Sequence, residues 1–130
     1  MHPARSSSMK AMRLLLDNLP PSLQSERAPL TRCLEAMNRV TPLQQVWLFG
    51  SHARGSARSD SDVDLCLVAE GAEHQQETIR RYLKALWNVW PRPALTLIPI
   101  APHRLAEKKA SSDPFFATVL KEGRLLATQD

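Results

Sequence analysis

The sequence predicts an α/β (α+β) protein built around one small mixed β-sheet with helices packed on one side. Helical patterns of apolar residues alternate along the chain with short apolar runs that are typical of buried strands. Proline and glycine separate these segments. The length of 130 residues and the hydrophobic content of 43% fit a single domain with one core. We therefore expect the order α-β-α-β-α-β-α-α, without internal repeats.

The chain divides into residues 1–28, an N-terminal arm, and residues 29–130, the folded domain. The arm lacks a clear pattern, and Pro20 and Pro21 interrupt any long element in it. Residues 9–19 could form a short helix. The arm is expected to be either flexible or a helix that docks on the domain or on a partner.

The first helix of the domain is predicted to start at Leu30 and to end at Pro42. Its apolar positions follow the i, i+3, i+4, i+7 spacing of an amphipathic helix and are Leu30, Cys33, Leu34 and Met37. A short strand over residues 46–49 follows and is closed by Gly50. Ser51 is the expected N-cap of a single helical turn after it.

The second strand is predicted over Val63–Val68, after a polar loop. A long helix over Gly71–Trp90 comes next and is ended by Pro91. Its predicted apolar stripe consists of Ile79, Leu83, Leu86, Trp87 and Trp90. The third strand, over Ala94–Ile100, contains Pro99, which indicates an edge position or a bulge.

Two short helices and a brief strand complete the predicted order. The helices cover Pro102–Lys109 and Asp113–Glu122, and Asp113 has the position of an N-cap with a proline directly after it. Gly123 ends the second helix. Residues 125–126 suggest a last, short strand.

Composition narrows the classes of function. The net charge of +4 attracts molecules that carry phosphate, but aromatic residues are only 5% and form no array of stacking rings, so nucleic-acid binding ranks last. No apolar run approaches the roughly 20 residues that cross a bilayer, and no secretory signal is recognisable, so we expect a cytoplasmic protein. Cys33 and Cys66 form no Cys-x-x-Cys pattern and are expected to be reduced core thiols.

The segment most informative about function joins a glycine–serine turn to two aspartates. It reads FGSHARG over residues 49–55 and SDVDL over residues 61–65. Asp62 and Asp64 lie two apart at the start of a strand, so their side chains share one face, about 7 Å apart along the backbone. Such a pair repels unless a cation lies between them, and a Gly-Ser turn offers backbone N–H groups to a phosphate. The combination indicates nucleotide chemistry with a bound metal ion.

This combination of Gly-Ser, Ala-Arg-Gly and Ser-Asp-x-Asp-Leu resembles the minimal nucleotidyltransferases of the DNA polymerase beta superfamily. The resemblance is sharp over residues 46–68 and continues more weakly to residue 123. It implies the polymerase beta-like fold and transfer of a nucleoside monophosphate from a triphosphate to a hydroxyl group. The expected group is AMP, taken from ATP.

By this resemblance, Asp62 and Asp64 are catalytic and bind Mg²⁺, with room for two ions. Gly50 and Ser51 correspond to the turn that grips the triphosphate, and Arg54 to an arginine that contacts phosphate or braces the loop. The residues alone leave other readings open. The aspartates could cap a turn, Gly50 and Ser51 could form an ordinary strand-to-helix turn, and Arg54 could be solvated.

The sequence departs from the family pattern on the third strand. The family has a third carboxylate there, whereas this chain has Thr96 and contains no Asp or Glu from residue 90 to 106. A threonine hydroxyl is a poor base, and general-base help is worth about 10²–10⁴ in rate. Glu107 or Asp113 could approach instead, a partner could supply the acid, or the chain could bind nucleotide without turnover. His52, at the variable position of the motif, lacks a second His or Cys at ligand spacing and is expected to be a surface imidazole.

Two functions follow. The first is a transferase whose acceptor is a protein, and the resemblance implies a small helical partner of the HEPN type, as in toxin–antitoxin modules. Trp87 and Trp90 offer apolar surface for such a partner. The second is a nucleotide-binding antitoxin or regulatory subunit that is catalytically impaired by Thr96. A homo-oligomer is left open, and no membrane association is expected.

Overall fold

The computed structural model describes residues 11–129. Within this range the strands are β1 (Arg13–Leu14), β2 (Leu43–Phe49), β3 (Val63–Ala69), β4 (Leu95–Ile100) and β5 (Arg124–Thr128). The α-helices are α1 (Arg27–Val40), α2 (Gly50–Arg54), α3 (Gln75–Ala85), α4 (Pro102–Ala110) and α5 (Pro114–Glu122). Short 3-10 helices cover Leu16–Asn18, Pro21–Glu26 and Leu86–Asn88. None of these helices has the length and apolar character of a membrane span.

The strands form one mixed sheet in the order β1-β5-β2-β3-β4. The neighbours β3 and β4 are parallel and are connected through α3, whereas the other pairs are antiparallel. This register places Asp64 of β3 between Phe49 of β2 and Thr96 of β4. β4 lies at the edge of the sheet, as Pro99 indicated, because proline has no N–H for a second neighbouring strand. The predicted α+β class with a mixed sheet is confirmed.

Helices pack on both faces of this sheet, and not on one side as the sequence suggested. On one face, α1 and α3 cover a core that includes Leu48 and Leu65. On the other face, Leu105 of α4 and Phe116 of α5 pack in a smaller cluster with Cys66. The apolar pattern of α4 and α5 shows which side of each helix is buried, but it does not show which face of the sheet the helix covers.

The described part of the N-terminal segment belongs to the same domain. β1 pairs with β5 at the edge of the sheet. Leu16, Leu19 and Leu23 are at most 4% exposed and join the core beneath α1. From residue 13 onward the predicted arm thus packs on the domain, which was one of the two expectations, although it does so through a short strand and 3-10 turns and not through an α-helix; residues 1–10 lie outside the described range. The buried leucines sit on 3-10 turns, whose spacing does not match an amphipathic α-helix.

The helix after β3 is shorter than predicted and buries a different face. α3 and the 3-10 turn after it cover residues 75–88, whereas the prediction covered residues 71–90. The buried side chains are those of Thr78, Tyr82 and Leu86, and the Tyr82 hydroxyl donates to the Thr41 carbonyl at 3.0 Å. The exposed ones are Leu83 (45%), Trp87 (71%) and Trp90 (65%). The predicted stripe was right at Leu86 and wrong at Leu83, Trp87 and Trp90, because two residues with hydroxyl groups, each hydrogen-bonded to a backbone carbonyl, supply most of the buried face.

Elsewhere the elements follow the prediction closely. Both α1 and β2 begin three residues earlier than expected. Asp113 caps α5, since its Oδ1 accepts a hydrogen bond from the Phe116 N–H at 3.1 Å. Gly123 directly follows α5, and a Cβ there would lie 2.2 Å from the Val119 carbonyl oxygen, so only glycine fits.

The two cysteines are buried and free, as predicted. Burial raises the pKa of the Cys66 thiol to about 12 and raises that of Cys33 as well. Both thiols are therefore protonated at neutral pH and behave as small apolar side chains.

Candidate active site

β3 brings two carboxylates to one face of the sheet. Side chains alternate along a strand, so Asp64 shares its face with Cys66, which belongs to the cluster beneath α4 and α5. Asp62 directly precedes β3 and lies two residues before Asp64. Asp64 is half-buried and Asp62 is exposed. The pair lies at the end of the sheet where β3 begins.

Gly50 begins α2 and lies against Asp64. Its φ angle is +76°, in the left-handed region that favours glycine, and a Cβ at this position would lie 2.0 Å from Asp64 Oδ2. Phe49, and not Ser51, occupies the N-cap position, and no side chain caps the helix. The N–H groups of the first turn of α2 therefore have no acceptor within the helix.

A cleft of about 440 Å³ opens between α2, α5 and the ends of β2 and β3. Four of the predicted site residues line it, namely Gly50, Ser51, Arg54 and Asp64. The other lining residues are Phe49, Phe115, Thr118, Val119 and Glu122. Asp62 does not line this cleft. It lies next to the start of β4, where it contacts Thr96.

Thr96 of β4 lies next to both aspartates. It is paired with Asp64 in the parallel register, and its Oγ1 donates to Asp62 Oδ2 at 3.2 Å. Hydrogen bonding from Thr96 also acts on Asp64, whose pKa it lowers. A hydroxyl group has one hydrogen, so it serves one carboxylate at a time. Thr96 is thus a neutral donor at the place where the family pattern has a third acid.

Neither of the acids suggested as a substitute reaches the cleft. Glu107 accepts a hydrogen bond from Arg104 of its own helix at 2.5 Å, and Asp113 caps α5. Glu122, at the end of α5, does line the cleft. It was not among the predicted site residues. Its sequence signal was weak, because an exposed glutamate in the last turn of a helix is common.

The pKa of Asp64 is raised above the ordinary value of an aspartate. Partial burial is the largest cause, and the charge of Asp62 adds to it. The Thr96 hydrogen bond and electrostatic interactions with His52 and Arg54 act in the opposite direction but do not cancel it. The ionised carboxylate thus lacks part of the positive charge that would stabilise it.

His52 is buried, and the prediction of a surface imidazole was wrong. The His52 residue is only 5% exposed. The Nδ1 atom lies 2.8 Å from Ser22 Oγ, and Nε2 lies 3.2 Å from the Ser61 carbonyl oxygen. The segment that covers it, the 3-10 helix Pro21–Glu26, falls in the region that was predicted to be an arm, so no sequence pattern indicated a partner for this ring.

Comparison with known proteins decides the family. Residues 30–110 match the family model described as the nucleotidyltransferase domain. The chain belongs to the nucleotidyltransferase domain family. A crystal structure of a proposed nucleotidyltransferase from Sulfolobus solfataricus is 21% identical, with a TM-score of 0.48, over 80% of this chain and 84% of that one. Among curated proteins nothing matches the chain.

The general function of this nucleotidyltransferase is transfer of a nucleotidyl group from a nucleoside triphosphate, which in this family generally involves a divalent metal ion. The residues fit such an ion, because carboxylate oxygens are hard ligands and the Asp64 carboxylate lacks compensating charge. Among residues 11–129, no three His, Cys, Asp or Glu side chains gather into a metal site. An ion would therefore take the aspartates and complete its shell with substrate phosphate and water.

Proposed function

We propose that the chain is a Mg²⁺-dependent nucleotidyltransferase that moves AMP from ATP to a hydroxyl group of an acceptor. One observation carries this proposal. A carboxylate suited to a metal ion, that of Asp64, shares its cleft with three residues suited to phosphate, Gly50, Ser51 and Arg54. Nucleotidyl transfer builds negative charge on the phosphate oxygens, and its catalysis consists mostly of positioning and electrostatic stabilisation.

Asp62 and Asp64 hold the divalent ion in this proposal. When bound, the ion neutralises charge on the phosphate oxygens. Asp64 offers a half-buried oxygen at the edge of the cleft, while Asp62 offers an exposed carboxylate that Thr96 holds by a hydrogen bond. The repulsion between the two carboxylates falls when a cation binds, so the pair favours binding.

Gly50 and Ser51 bind the triphosphate in this proposal. The N–H groups at the start of α2 have no acceptor within the helix and can donate to a phosphate, and Ser51 adds a hydroxyl donor. Arg54 is exposed in the same cleft and forms no ion pair with the described side chains, so its guanidinium is available for a phosphate.

Turnover by the isolated chain is expected to be slow. The proton of the attacking hydroxyl needs an acceptor, and Thr96 cannot serve as one. A partner that brings a carboxylate to this place would raise the rate by about 10²–10⁴.

The partner in this proposal is a small helical protein of the HEPN type. Its support in the structure is an apolar surface formed by Leu83, Trp87 and Trp90, which are 45–71% exposed. Large exposed apolar patches commonly mark interaction surfaces. Trp87→Arg should abolish co-purification with the protein encoded by the neighbouring gene and leave the melting temperature unchanged. Self-association through the same surface would appear as a concentration-dependent dimer that Trp87→Arg also abolishes.

Thr96 favours a second candidate function, a nucleotide-binding antitoxin or regulatory subunit without turnover. The two aspartates and the phosphate-binding turn would still bind a cation and ATP. The neutral Thr96 donor would keep the carboxylates in place, but no base would be present to activate an acceptor.

The two candidates are distinguished with ATP labelled on the α-phosphate, incubated with Mg²⁺ in the presence and absence of the neighbouring gene product. The transferase labels an acceptor, and Asp62→Asn and Asp64→Asn abolish the label. Asp60→Asn is the matched control, because Asp60 is exposed in the preceding turn and lies outside the cleft. Binding of ATP without labelling of any acceptor would support the regulatory subunit instead.

A further inference from the structure

We propose that His52 is a positioning residue that holds the phosphate-binding turn and the metal-binding aspartates in a fixed relation. This inference rests on the proposed function and names a residue on which that site depends. His52 directly follows Ser51, and its Nε2 lies 3.2 Å from the carbonyl oxygen of Ser61, which directly precedes Asp62. A single hydrogen bond thus joins the backbone beside the phosphate-binding residue to the backbone beside the metal ligand.

The loop between these two points is held by few other contacts. Residues 55–60 connect α2 to Ser61, and most of them are exposed. The Arg58 N–H donates to Ser61 Oγ at 2.8 Å, and the Ser61 N–H donates to the Arg58 carbonyl at 3.1 Å. These bonds close a tight turn, but both partners lie within the loop. At its start the loop is joined to α2 by the Ser56 N–H, which donates to the Ser51 carbonyl at 2.9 Å, and at its other end the bond from His52 joins the turn at Ser61 to α2.

The hydrogen-bond partners fix the tautomer of the ring. A backbone carbonyl only accepts, so Nε2 carries the hydrogen in the bond to Ser61. In the neutral ring Nδ1 is then an acceptor, and the Ser22 hydroxyl donates to it at 2.8 Å. Ser22 lies on the 3-10 helix Pro21–Glu26, whose Leu23 is buried in the core. The N-terminal segment therefore supplies the hydrogen bond to the second ring nitrogen and helps to orient the ring toward Ser61.

Because His52 is buried, we expect its hydrogen bond to Ser61 to contribute to the position of the loop. The ring is shielded from water, and a side chain too short to reach Ser61 would remove the donor to its carbonyl. Residues that orient metal ligands typically change metal affinity or activity by about 10–100-fold when they are removed. We expect an effect of this size from loss of the Nε2 donor.

The test compares two substitutions of His52 whose side-chain amides extend to different distances from Cα. In His52→Gln the side-chain amide nitrogen lies as many bonds from Cα as Nε2 does and can still donate to Ser61. In His52→Asn the amide reaches only as far as Nδ1. Mn²⁺ affinity in the presence of ATP is measured together with kcat and KM for label transfer, well below each variant's melting temperature. His103→Asn, at an exposed histidine on α4, is the matched control.

His52→Asn should weaken Mn²⁺ binding or lower kcat by about 10–100-fold, whereas His52→Gln and His103→Asn should stay within a few-fold of the unmodified chain. Equal values for the asparagine and glutamine variants would overturn the inference. Should His52→Asn not fold, Ser22→Ala replaces it. That variant removes the hydrogen bond that orients the ring and should lower Mn²⁺ affinity several-fold, and an unchanged affinity would again overturn the inference.

Failure of the proposed function gives a different result. An unmodified chain that binds Mn²⁺ and ATP but labels no acceptor refutes the transferase, and the Mn²⁺ affinities of the variants still decide the role of His52. An unmodified chain that binds no Mn²⁺ refutes both.

Discussion

Replacement of Gly50 by alanine adds one methyl group at the closest approach between α2 and Asp64. The new Cβ would lie 2.0 Å from Asp64 Oδ2 and 3.0 Å from its carboxyl carbon, whereas ordinary contacts of a Cβ begin at 3.4 Å. The carboxylate must therefore move by at least about 1 Å, or the start of α2 must move by the same amount. Displacement of a reacting group by 1 Å can cost about 100-fold in rate. We expect Gly50→Ala to lose about 100-fold in nucleotidyl transfer.

The same substitution also strains the backbone. At a φ of +76° a residue with a Cβ costs about 1–3 kcal/mol, which lowers the melting temperature by several degrees in a domain of this size. This loss of stability must be separated from the loss of activity, because a partly unfolded enzyme is also less active.

Gly71→Ala provides the separation. Gly71 has a φ of +86°, and a Cβ there meets nothing within 4 Å, so this variant carries the backbone strain without the contact. Transfer of α-phosphate label and Mn²⁺ affinity are measured for both variants at a temperature where both are folded, as judged by thermal melts. Activity of Gly50→Ala equal to that of Gly71→Ala would refute the reasoning, because the approach of Gly50 to Asp64 would then have no role in the reaction.

Three further predictions concern Asp64, Thr96 and the N-terminal segment. Burial raises the pKa of Asp64 in the folded state, so its ionisation opposes folding above the ordinary aspartate pKa. Asp64→Asn should therefore raise the melting temperature at pH 7 in the absence of metal, and the gain should vanish as the pH falls below about 4; a lower melting temperature at pH 7 would contradict this. Thr96→Asp should increase transfer about tenfold or more by supplying a base, while the isosteric Thr96→Val should not; no gain from the acid would show that a base at this position is not limiting. Leu23→Ala should lower the free energy of unfolding by about 2–5 kcal/mol in urea titrations, with the exposed Ser25→Ala as control, and equal values would mean that the segment is not part of the core.

The sequence predicted those parts of the molecule that depend on short-range spacing. The strand β3, the turn at Gly50 and the N-cap at Asp113 each follow from residues within a few positions of one another. The position of Thr96 beside Asp64 could also be expected, because it depends only on the register of two adjacent parallel strands. These features depend on residues close together in the sequence, so they can be predicted without knowledge of how the chain packs.

The contacts that the sequence did not predict join segments far apart in the chain. His52 bonds to Ser22, thirty residues earlier, and the leucines of that segment are buried without a helical period. Glu122 lines the cleft only because α5 packs beside α2. On α3, the hydroxyl of Tyr82 donates to the Thr41 carbonyl, so a polar face of the helix is buried. Trp87 and Trp90 are exposed to solvent as a result. Each of these contacts depends on a residue far away in the sequence, which a local pattern cannot identify.

Thr96, which lies next to both aspartates, has two opposite effects on the site: it stabilises the metal-free form and it removes a base. A third carboxylate there would add a like charge beside Asp64, whose ionised form is already disfavoured by burial and by Asp62. The Thr96 hydroxyl instead donates a hydrogen bond to Asp62 and so stabilises the metal-free site. The same residue removes the base that nucleotidyl transfer would use. Under the proposed function, this stability of the metal-free chain comes at the cost of turnover, which is the usual trade-off between stability and activity at a catalytic site.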